Sequence, residues 1–195
     1  IISFDTNIYL VGLEHISYLF SAIQNNQALN ITYQSFNSKE EQTFVFHPYH
    51  IKQFNNRWFV FGKHNNYNNL TNLALDRIKN IDHASIPLDK SEQVDFEDYF
   101  DDIIGVTKPN NEKLIKIVCL AEPSLAPYLK TKPIHGSQKK VDETEEGFTF
   151  SIEVIPNYEL NKRILSFGSA LTVLEPNNLK DVIISNLKDS LKKYN

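Results

Sequence analysis

The sequence predicts an α+β protein in two parts: a small Sm-like or SH3-like β-barrel with a preceding helix, followed by a ferredoxin-like α+β sandwich. Three observations predict it. Short alternating strands separated by turn signals fill residues 28–81. After residue 112 the elements follow the order β-α-β-β-α-β, with one further helix at the end. An acidic segment and a linker-like stretch, VTKPNNEK, separate these two patterns.

The first part begins with an extended or disordered-looking arm and then a helix. The helix, which Asn25-Asn26 ends, is predicted by apolar residues at helical spacing: Ile16, Leu19, Phe20 and Ile23. Five strands follow, with an Asn55-Asn56 turn between the second and the third, and a bulge or edge expected at Pro48. The predicted strands are 28–36, 42–54, Arg57–Lys63, Leu70–Asp76 and Ile78–Ile81. The third strand is apolar on both faces and therefore needs cover on both sides.

The charge distribution predicts a domain boundary near residues 105–112. Residues 82–105 carry eight acidic groups and one Lys, a net charge of −7. They include an amphipathic helix candidate, EQVDFEDYFDDIIG, with these apolar residues on one face: Phe96, Tyr99, Phe100 and Ile103. We therefore predict a first domain over residues 1–105, with the acidic helix at its end, and a second domain over residues 112–195.

The second domain has a different order of elements. The predicted strands are Leu114–Leu120, Lys139–Asp142, Phe148–Ile155 and Leu171–Leu174, and the predicted helices are Pro123–Lys130, Tyr158–Phe167 and Asn177–Tyr194. The second and third of these strands pair as a hairpin across the acidic turn Asp142–Gly147. The last helix carries an apolar stripe that favours self-association through this domain: Leu179, Val182, Ile183, Leu187 and Leu191.

Composition and cysteine content indicate a folded cytoplasmic protein without a membrane partner. Hydrophobic residues make up 41% of the chain and charged residues 23%. No apolar run approaches the roughly 20 residues that span a bilayer, and no signal peptide opens the chain. The single cysteine, Cys119, excludes an internal disulfide and is interpreted as a buried structural thiol rather than a nucleophile. Because Ile1 is not a start methionine, we expect a piece of a longer protein or a processed form.

Motifs for catalysis, metals and cofactors do not occur in the sequence. His47 and His50 lie three residues apart on a strand, which places them on opposite faces, and no second ligand pair follows. There is no GxSxG elbow, no GxxxxGK[ST] loop and no GxGxxG motif. We therefore predict no catalytic residues, no metal site, no cofactor and no enzymatic activity.

Residues 47–81 form a locally basic window in an acidic chain. The window carries five positive charges and one negative charge, whereas the whole chain has a net charge of −4. It also holds the single Trp and three of the six His. A basic surplus among aromatic residues on strands is typical of a surface that binds an anion.

Several of these stretches resemble one family. PYHIKQFNNRWFVFG followed by LALDRI resembles the core of a WYL domain, the sensor module of many bacterial transcription regulators, with Trp58-Phe59-Val60 at the triplet that names it. AIQNNQALNITYQSF resembles the helix-to-strand entry of that domain, where Tyr33 is the usual aromatic. ILSFGSALTVLEPNNLKDVIISNLKDSLKKY is similar to the WCX extension that commonly follows it.

The resemblance implies both a fold and a role. WYL domains are Sm-like barrels and WCX segments are ferredoxin-like. Such regulators usually act as homodimers and read duplex DNA through an N-terminal winged helix-turn-helix, which we do not find ahead of Ile16. The chain is therefore expected to be the effector-sensing and dimerising portion of a transcription regulator, with a nucleic-acid-related effector such as single-stranded DNA.

Six residues are predicted to line the effector site, and Arg57 is the first of them because it follows a turn and can grip phosphate bidentately. The six are Arg57, Trp58, Arg77, Lys52, His47 and nearby Tyr33, and the expected ligand is single-stranded nucleic acid or a nucleotide. The motif departs from the family pattern at Phe59, which replaces a Tyr, and at Thr71 and Ala74, where basic residues usually lie.

Structural interpretations of the same residues stay open. Trp58 could pack in the core, Asp76-Arg77 could form a local ion pair, Lys52 could be an ordinary surface charge, and His47 could satisfy a backbone carbonyl. The whole chain could accordingly be a dimerisation and coupling module without its own ligand. A nuclease is the third alternative, with the least support.

Overall fold

The computed structural model describes residues 10–67, 69–90 and 94–194, and it confirms the α+β class with two antiparallel sheets. Contacts divide the chain into two compact units, Ile1–Val94 and Asp95–Asn195. The predicted N-terminal arm lies largely in residues 1–9, outside the described residues. No helix among the described residues is long and apolar enough to cross a membrane.

The described residues of the first unit contain one α-helix and five strands. In chain order they are α1 (Ile16–Gln24), β1 (Gln27–Tyr33), β2 (Gln42–Phe54), β3 (Arg57–His64), β4 (Leu70–Ala74) and β5 (Ile78–Pro87). A 3-10 turn, Leu75–Arg77, joins β4 to β5. The sheet order is β4-β3-β2-β1-β5, so the pairings of the described residues give an open sheet rather than a closed barrel. The Sm-like or SH3-like assignment stays a prediction.

The hairpin of β2 and β3 positions the basic window. Asn55 and Asn56 have φ angles of 47° and 57°, the left-handed values that a two-residue hairpin turn requires and that Asn tolerates. The register shifts between Pro48 and His50, which confirms the irregularity predicted at Pro48. The tight turn places Arg57 opposite Phe54 at the first position of β3.

The first core lies between α1 and the sheet. Leu19 of α1 is fully buried against a cluster that includes Phe46 and Val60, both 0% exposed. Phe61 follows Val60 and points to the other face of the strand, yet it is also 0% exposed. The prediction that β3 needs cover on both faces is therefore confirmed.

The second unit follows the predicted order of strands and helices. Its elements are α2 (Phe96–Asp101), β6 (Ile115–Ala121), α3 (Ala126–Thr131), β7 (Lys139–Thr144), β8 (Gly147–Val154), α4 (Tyr158–Leu165), β9 (Leu171–Glu175) and α5 (Asn177–Leu191). The sheet order is β7-β8-β6-β9, with its apolar face packed on α4 and α5 through Leu160, Ile164 and Leu179. The ferredoxin-like assignment stays a prediction.

The acidic helix α2 belongs by its contacts to the second unit, whereas the sequence placed it at the end of the first domain. The backbone N–H of Ile155 donates to the carbonyl of Asp102 at 2.8 Å. Asn157 Nδ2 donates to the carbonyls of Ile104 and Thr107 at 2.9 and 2.8 Å. These bonds hold the segment after α2 against β8 and α4, so the division by contacts precedes the predicted boundary at 105–112.

Candidate functional site

Arg57 forms an ion pair with an acidic group on the turn between β4 and β5. Its Nε lies 3.0 Å from Oδ2 of Asp76. The Asp76 side chain is 8% exposed and the Arg57 side chain 42% exposed. The buried carboxylate therefore fixes one edge of a guanidinium whose remaining N–H groups lie nearer to solvent.

Phe36 brings Arg57 and Arg77 to one place. The guanidinium carbon of Arg77 lies 4.3 Å from the centre of the Phe36 ring, and that of Arg57 lies 5.9 Å from it. Phe36 follows β1 in the loop before β2, and the N–H of nearby Gln34 donates to the carbonyl of Arg77 at 3.0 Å. The Phe36 ring is 67% exposed, so solvent reaches much of its surface. We call Phe36, Arg57, Asp76 and Arg77 the arginine–phenylalanine cluster.

The cluster contains buried polar atoms without hydrogen-bond partners. Oδ1 of Asp76 and Nε of Arg77 are both buried and unpaired. An unpaired polar atom in a dry site costs free energy, on the order of 1–3 kcal/mol for a neutral group and more for a charged one. With two guanidinium groups and one carboxylate, the cluster has a net charge of about +1, and it offers an acceptor as well as donors.

Trp58 and Tyr33 contribute to the core beside this cluster. Both side chains are partly buried and pack against the apolar cluster under α1. Tyr33 also meets Phe44 edge to face, with ring centres 6.5 Å apart, and pairs with Ile78 just after Arg77. The core interpretation of Trp58 thus has support from its packing, and Trp58 lies on the opposite face of β3 from its neighbour Arg57.

His47 lies far along the sheet from Arg57. His47 pairs with Lys63, while Arg57 begins the same strand six residues earlier, a distance of roughly 20 Å at about 3.4 Å per residue. The imidazole is 6% exposed, and its Nδ1 accepts a hydrogen bond of 2.9 Å from the backbone N–H of Asp89. Its backbone partner is therefore a donor, where the sequence had suggested a carbonyl.

Asp89 organises the surroundings of His47. Its carboxylate lies 2.7 Å from Nζ of Lys63, and its carbonyl accepts from the Tyr49 hydroxyl at 2.8 Å. Burial lowers the pKa of His47, the Asp89 carboxylate opposes that shift, and the Lys63 charge adds to it. His47 and Lys63 thus belong to a second group, in which Asp89 pairs with the Lys63 charge and donates to His47. This group links the residues after β5 to β2 and β3.

Lys52 lies between these two groups in sequence. It pairs with Phe59 across β2 and β3. Burial and then the positive charge of Lys52 lower the pKa of His50, so Lys52 adds positive potential on this part of the sheet. Of the six predicted residues, the structure brings Arg57 and Arg77 together, places Tyr33 and Trp58 in the adjacent core, and separates His47 from them.

Metal and thiol chemistry have no counterpart in the described residues. Among residues 10–67, 69–90 and 94–194, no group of three or more His, Cys, Asp or Glu could hold a metal ion. Cys119 is 1% exposed, and burial raises the pKa of its thiol to about 12. The interpretation of Cys119 as a buried structural thiol is confirmed.

Two family models match the chain. The WYL domain model matches residues 14–83, which include the whole arginine–phenylalanine cluster. The WCX domain model matches residues 113–191. The chain carries a WYL domain followed by a WCX domain. The first unit therefore holds the WYL domain and the second the WCX domain. No curated protein sequence matches the chain.

Two solved structures resemble the WYL–WCX chain. One is Proteasome accessory factor B/C (PafBC) of Arthrobacter aurescens, at 14% identity over 98% of this chain and 28% of that chain, with a TM-score of 0.43. The other is a CRISPR Cas-related protein, at 9% identity over 94% of this chain and 53% of that chain, with a TM-score of 0.58. The second likeness shows a shared fold. The WYL–WCX chain spans about a quarter of the first protein and half of the second.

Proposed function

We propose that this chain is the effector-sensing and dimerising portion of a bacterial transcription regulator, and that its arginine–phenylalanine cluster binds a phosphate-bearing, nucleic-acid-related effector. Single-stranded nucleic acid is the preferred ligand, and a nucleotide is its minimal form. The WYL and WCX domains support the regulatory role. The geometry around Phe36 supports the ligand class.

The observation that carries the proposal is an exposed phenylalanine with two guanidinium groups over its ring. Phe36 is 67% exposed, with Arg77 at 4.3 Å and Arg57 at 5.9 Å from its centre. Planar bases stack on aromatic rings and on guanidinium planes, worth roughly 1–3 kcal/mol per base. Guanidinium N–H pairs also match phosphate oxygens bidentately. A nucleotide offers both partners within one residue.

Asp76 determines which N–H groups of Arg57 can bind a ligand. Because Asp76 holds Nε of Arg57, the terminal N–H groups are the ones left for phosphate. The unpaired Nε of Arg77 is a second donor that a ligand oxygen could satisfy after a small movement of the Phe36 loop. Both arginines then contribute to binding that weakens as salt rises, since each neutralised phosphate releases counterions.

Dimerisation is proposed through α5 of the WCX domain. Leu179 and Ile183 face the core, at 5% and 9% exposed, so the predicted stripe is partly used inside the unit. Leu187 and Leu191 remain 52% and 61% exposed on the last turns. Exposed leucines at helical spacing are the kind of surface that a second copy covers.

The test is fluorescence anisotropy of a labelled short single-stranded DNA with the chain, at several salt concentrations. Arg57→Ala and Arg77→Ala are each expected to weaken binding about tenfold or more at low salt and to reduce the salt slope by about one. Arg163→Ala is the matched control, because Arg163 also lies over an aromatic ring, 4.6 Å from the centre of Phe167, but in the WCX domain. It should bind as the wild type does.

The same experiment separates the alternatives. Equal affinity for wild type and both variants would show that the DNA binds at another site. No binding at low salt would support a dimerisation and coupling module without its own ligand. Loss of the labelled strand on addition of a divalent metal would support a nuclease.

A further inference from the structure

Gly12 lies directly against the turn that carries Asp76 and Arg77. A Cβ at Gly12 would lie 2.5 Å from the carbonyl carbon of Leu75, 2.6 Å from its oxygen and 2.7 Å from the backbone nitrogen of Asp76. Gly12 is buried and has a φ of 90°, a value that residues with a side chain rarely adopt. Gly12, at the end of the segment Leu10–Gly12, therefore touches the turn Leu75–Arg77 backbone to backbone.

Both sides of this contact are held in place by their own packing or hydrogen bonds. The Leu75 side chain is 1% exposed and belongs to the core under α1. Gly12 is fixed in turn by local hydrogen bonds, because its N–H donates to Oε2 of Glu14 at 3.1 Å and its carbonyl accepts from the N–H of His15 at 3.2 Å. A shift of one segment therefore requires a shift of the other.

The turn also carries two of the four members of the cluster. Asp76 holds Arg57, and Arg77 lies over Phe36. The position of the turn therefore sets where both guanidinium groups lie, and a ligand that bridges them fixes the turn in the position that Gly12 contacts. The turn is thus the point where ligand contact and the segment before α1 meet.

We propose that Gly12 is a positioning residue for the arginine–phenylalanine cluster, and that ligand binding there and the seating of Leu10–Gly12 on the turn favour one another. This inference rests on the proposed function, since it needs a ligand at the cluster. It adds a way in which ligand binding at the cluster changes the segment that precedes α1. The coupling is reciprocal. A change that displaces Leu10–Gly12 from the turn lowers the ligand affinity by the same factor by which bound ligand favours the contact between this segment and the turn.

The experiment compares wild type, Gly12→Ala and Gly168→Ala in the full chain. Gly168 has a φ of +60°, but an added Cβ there would meet nothing within 4 Å, so its variant carries backbone strain without the steric contact. Anisotropy with short single-stranded DNA gives affinity, and circular dichroism confirms that each variant is folded. Gly12→Ala is expected to bind at least about fivefold more weakly, the lower end of ordinary coupling. Gly168→Ala should stay within about twofold of wild type.

Hydrogen exchange measured by mass spectrometry provides a readout that needs no variant at Gly12. In wild type the DNA should slow amide exchange in the peptide that contains Leu10–Gly12, and in Arg77→Ala at the same DNA concentration it should not. The inference is overturned if wild type binds DNA while exchange there is unchanged, or if a folded Gly12→Ala binds with wild-type affinity. If Gly12→Ala does not fold, the exchange result decides. If wild type itself binds no DNA, the proposed function fails and the coupling falls with it.

Discussion

Asp76 binds Arg57 from a buried position, with 3.0 Å between the carboxylate Oδ2 and the guanidinium Nε, while most of the exposure of the pair belongs to the arginine. Such a pair differs from an ordinary surface salt bridge because only one partner is desolvated. The carboxylate restricts the arginine to one orientation, and the arginine keeps an edge that a ligand can reach. Asp76 also lowers the positive potential that the ligand meets.

Asp76→Asn separates these two effects. The amide oxygen can still accept from Nε of Arg57, so the orientation is kept, but one negative charge leaves the site. Unit charges about 6 Å apart interact by roughly 0.7 kcal/mol in bulk water, about threefold in affinity, and by more where one of them is buried. We expect single-stranded DNA to bind at least about threefold more tightly at low salt, with the gain reduced at high salt. Weaker binding by Asp76→Asn would instead assign the carboxylate a direct contact with the ligand.

Phe36→Leu tests stacking without changing charge. Because the ring is 67% exposed, its loss should alter the free energy of unfolding by less than about 1 kcal/mol. Affinity for single-stranded DNA should fall by about thirtyfold, the middle of the range for one stacked base, while the salt slope stays at the wild-type value. Anisotropy across a salt series measures both quantities. A changed slope with little loss of affinity would contradict a stacking role.

Acid should destabilise the WYL domain through His47. Burial, the largest cause, lowers the pKa of His47 in the folded state below its ordinary 6.5, and Nδ1 must stay unprotonated to accept from Asp89. A histidine with a lowered folded-state pKa contributes full stability above 6.5 and loses it as pH falls below that value. Urea unfolding between about pH 7 and about pH 5 should therefore show a falling free energy.

His47→Asn is the control for this pH dependence. An Asn side-chain oxygen can replace Nδ1 as the acceptor for the Asp89 N–H, and it does not titrate. The acid-dependent loss should be smaller in this variant but not absent, because burial lowers the pKa of other histidines as well: His50, His64 and His135. An identical pH dependence in wild type and His47→Asn would remove His47 from the explanation.

The local elements of this chain follow from local sequence. The bounds of β2, the irregularity at Pro48 and the Asn55-Asn56 turn depend on alternation, on the missing N–H of Pro and on the tolerance of Asn for positive φ. Each signal lies within the residues that form the element. The amino-acid pattern alone therefore suffices to place Arg57 at the start of a strand.

The missed features depend on contacts between distant parts of the chain. Phe36 looked like the end of the first strand, and no periodicity could place its ring beside Arg77. The link from His47 to Asp89 joins β2 to the residues after β5, and α2 joins the second unit because Asn157 and Ile155 bond to the segment after it. Charge patterns showed that residues 82–105 are distinct, but not which core they follow.

Self-association should depend on the exposed end of α5. Leu187→Glu and Leu191→Glu place a charge on side chains that are 52% and 61% exposed, so the fold should persist while a dimer through this surface is weakened at least tenfold. Analytical ultracentrifugation over a concentration series measures the effect. Val141→Glu on the edge strand β7, 52% exposed, is the matched control. A wild type that stays monomeric at high concentration would contradict the proposal.

The most direct measurement uses the arginine side chains themselves. The chain has three arginines, Arg57, Arg77 and Arg163, so the Nε–Hε region of a ¹⁵N NMR spectrum holds three signals, each assignable with one substitution. Titration with a short single-stranded DNA at low salt should shift the signals of Arg57 and Arg77 together, saturating at one affinity. The signal of Arg163 in the WCX domain should stay in place. Unchanged signals for Arg57 and Arg77 in the presence of bound DNA would contradict binding at the arginine–phenylalanine cluster.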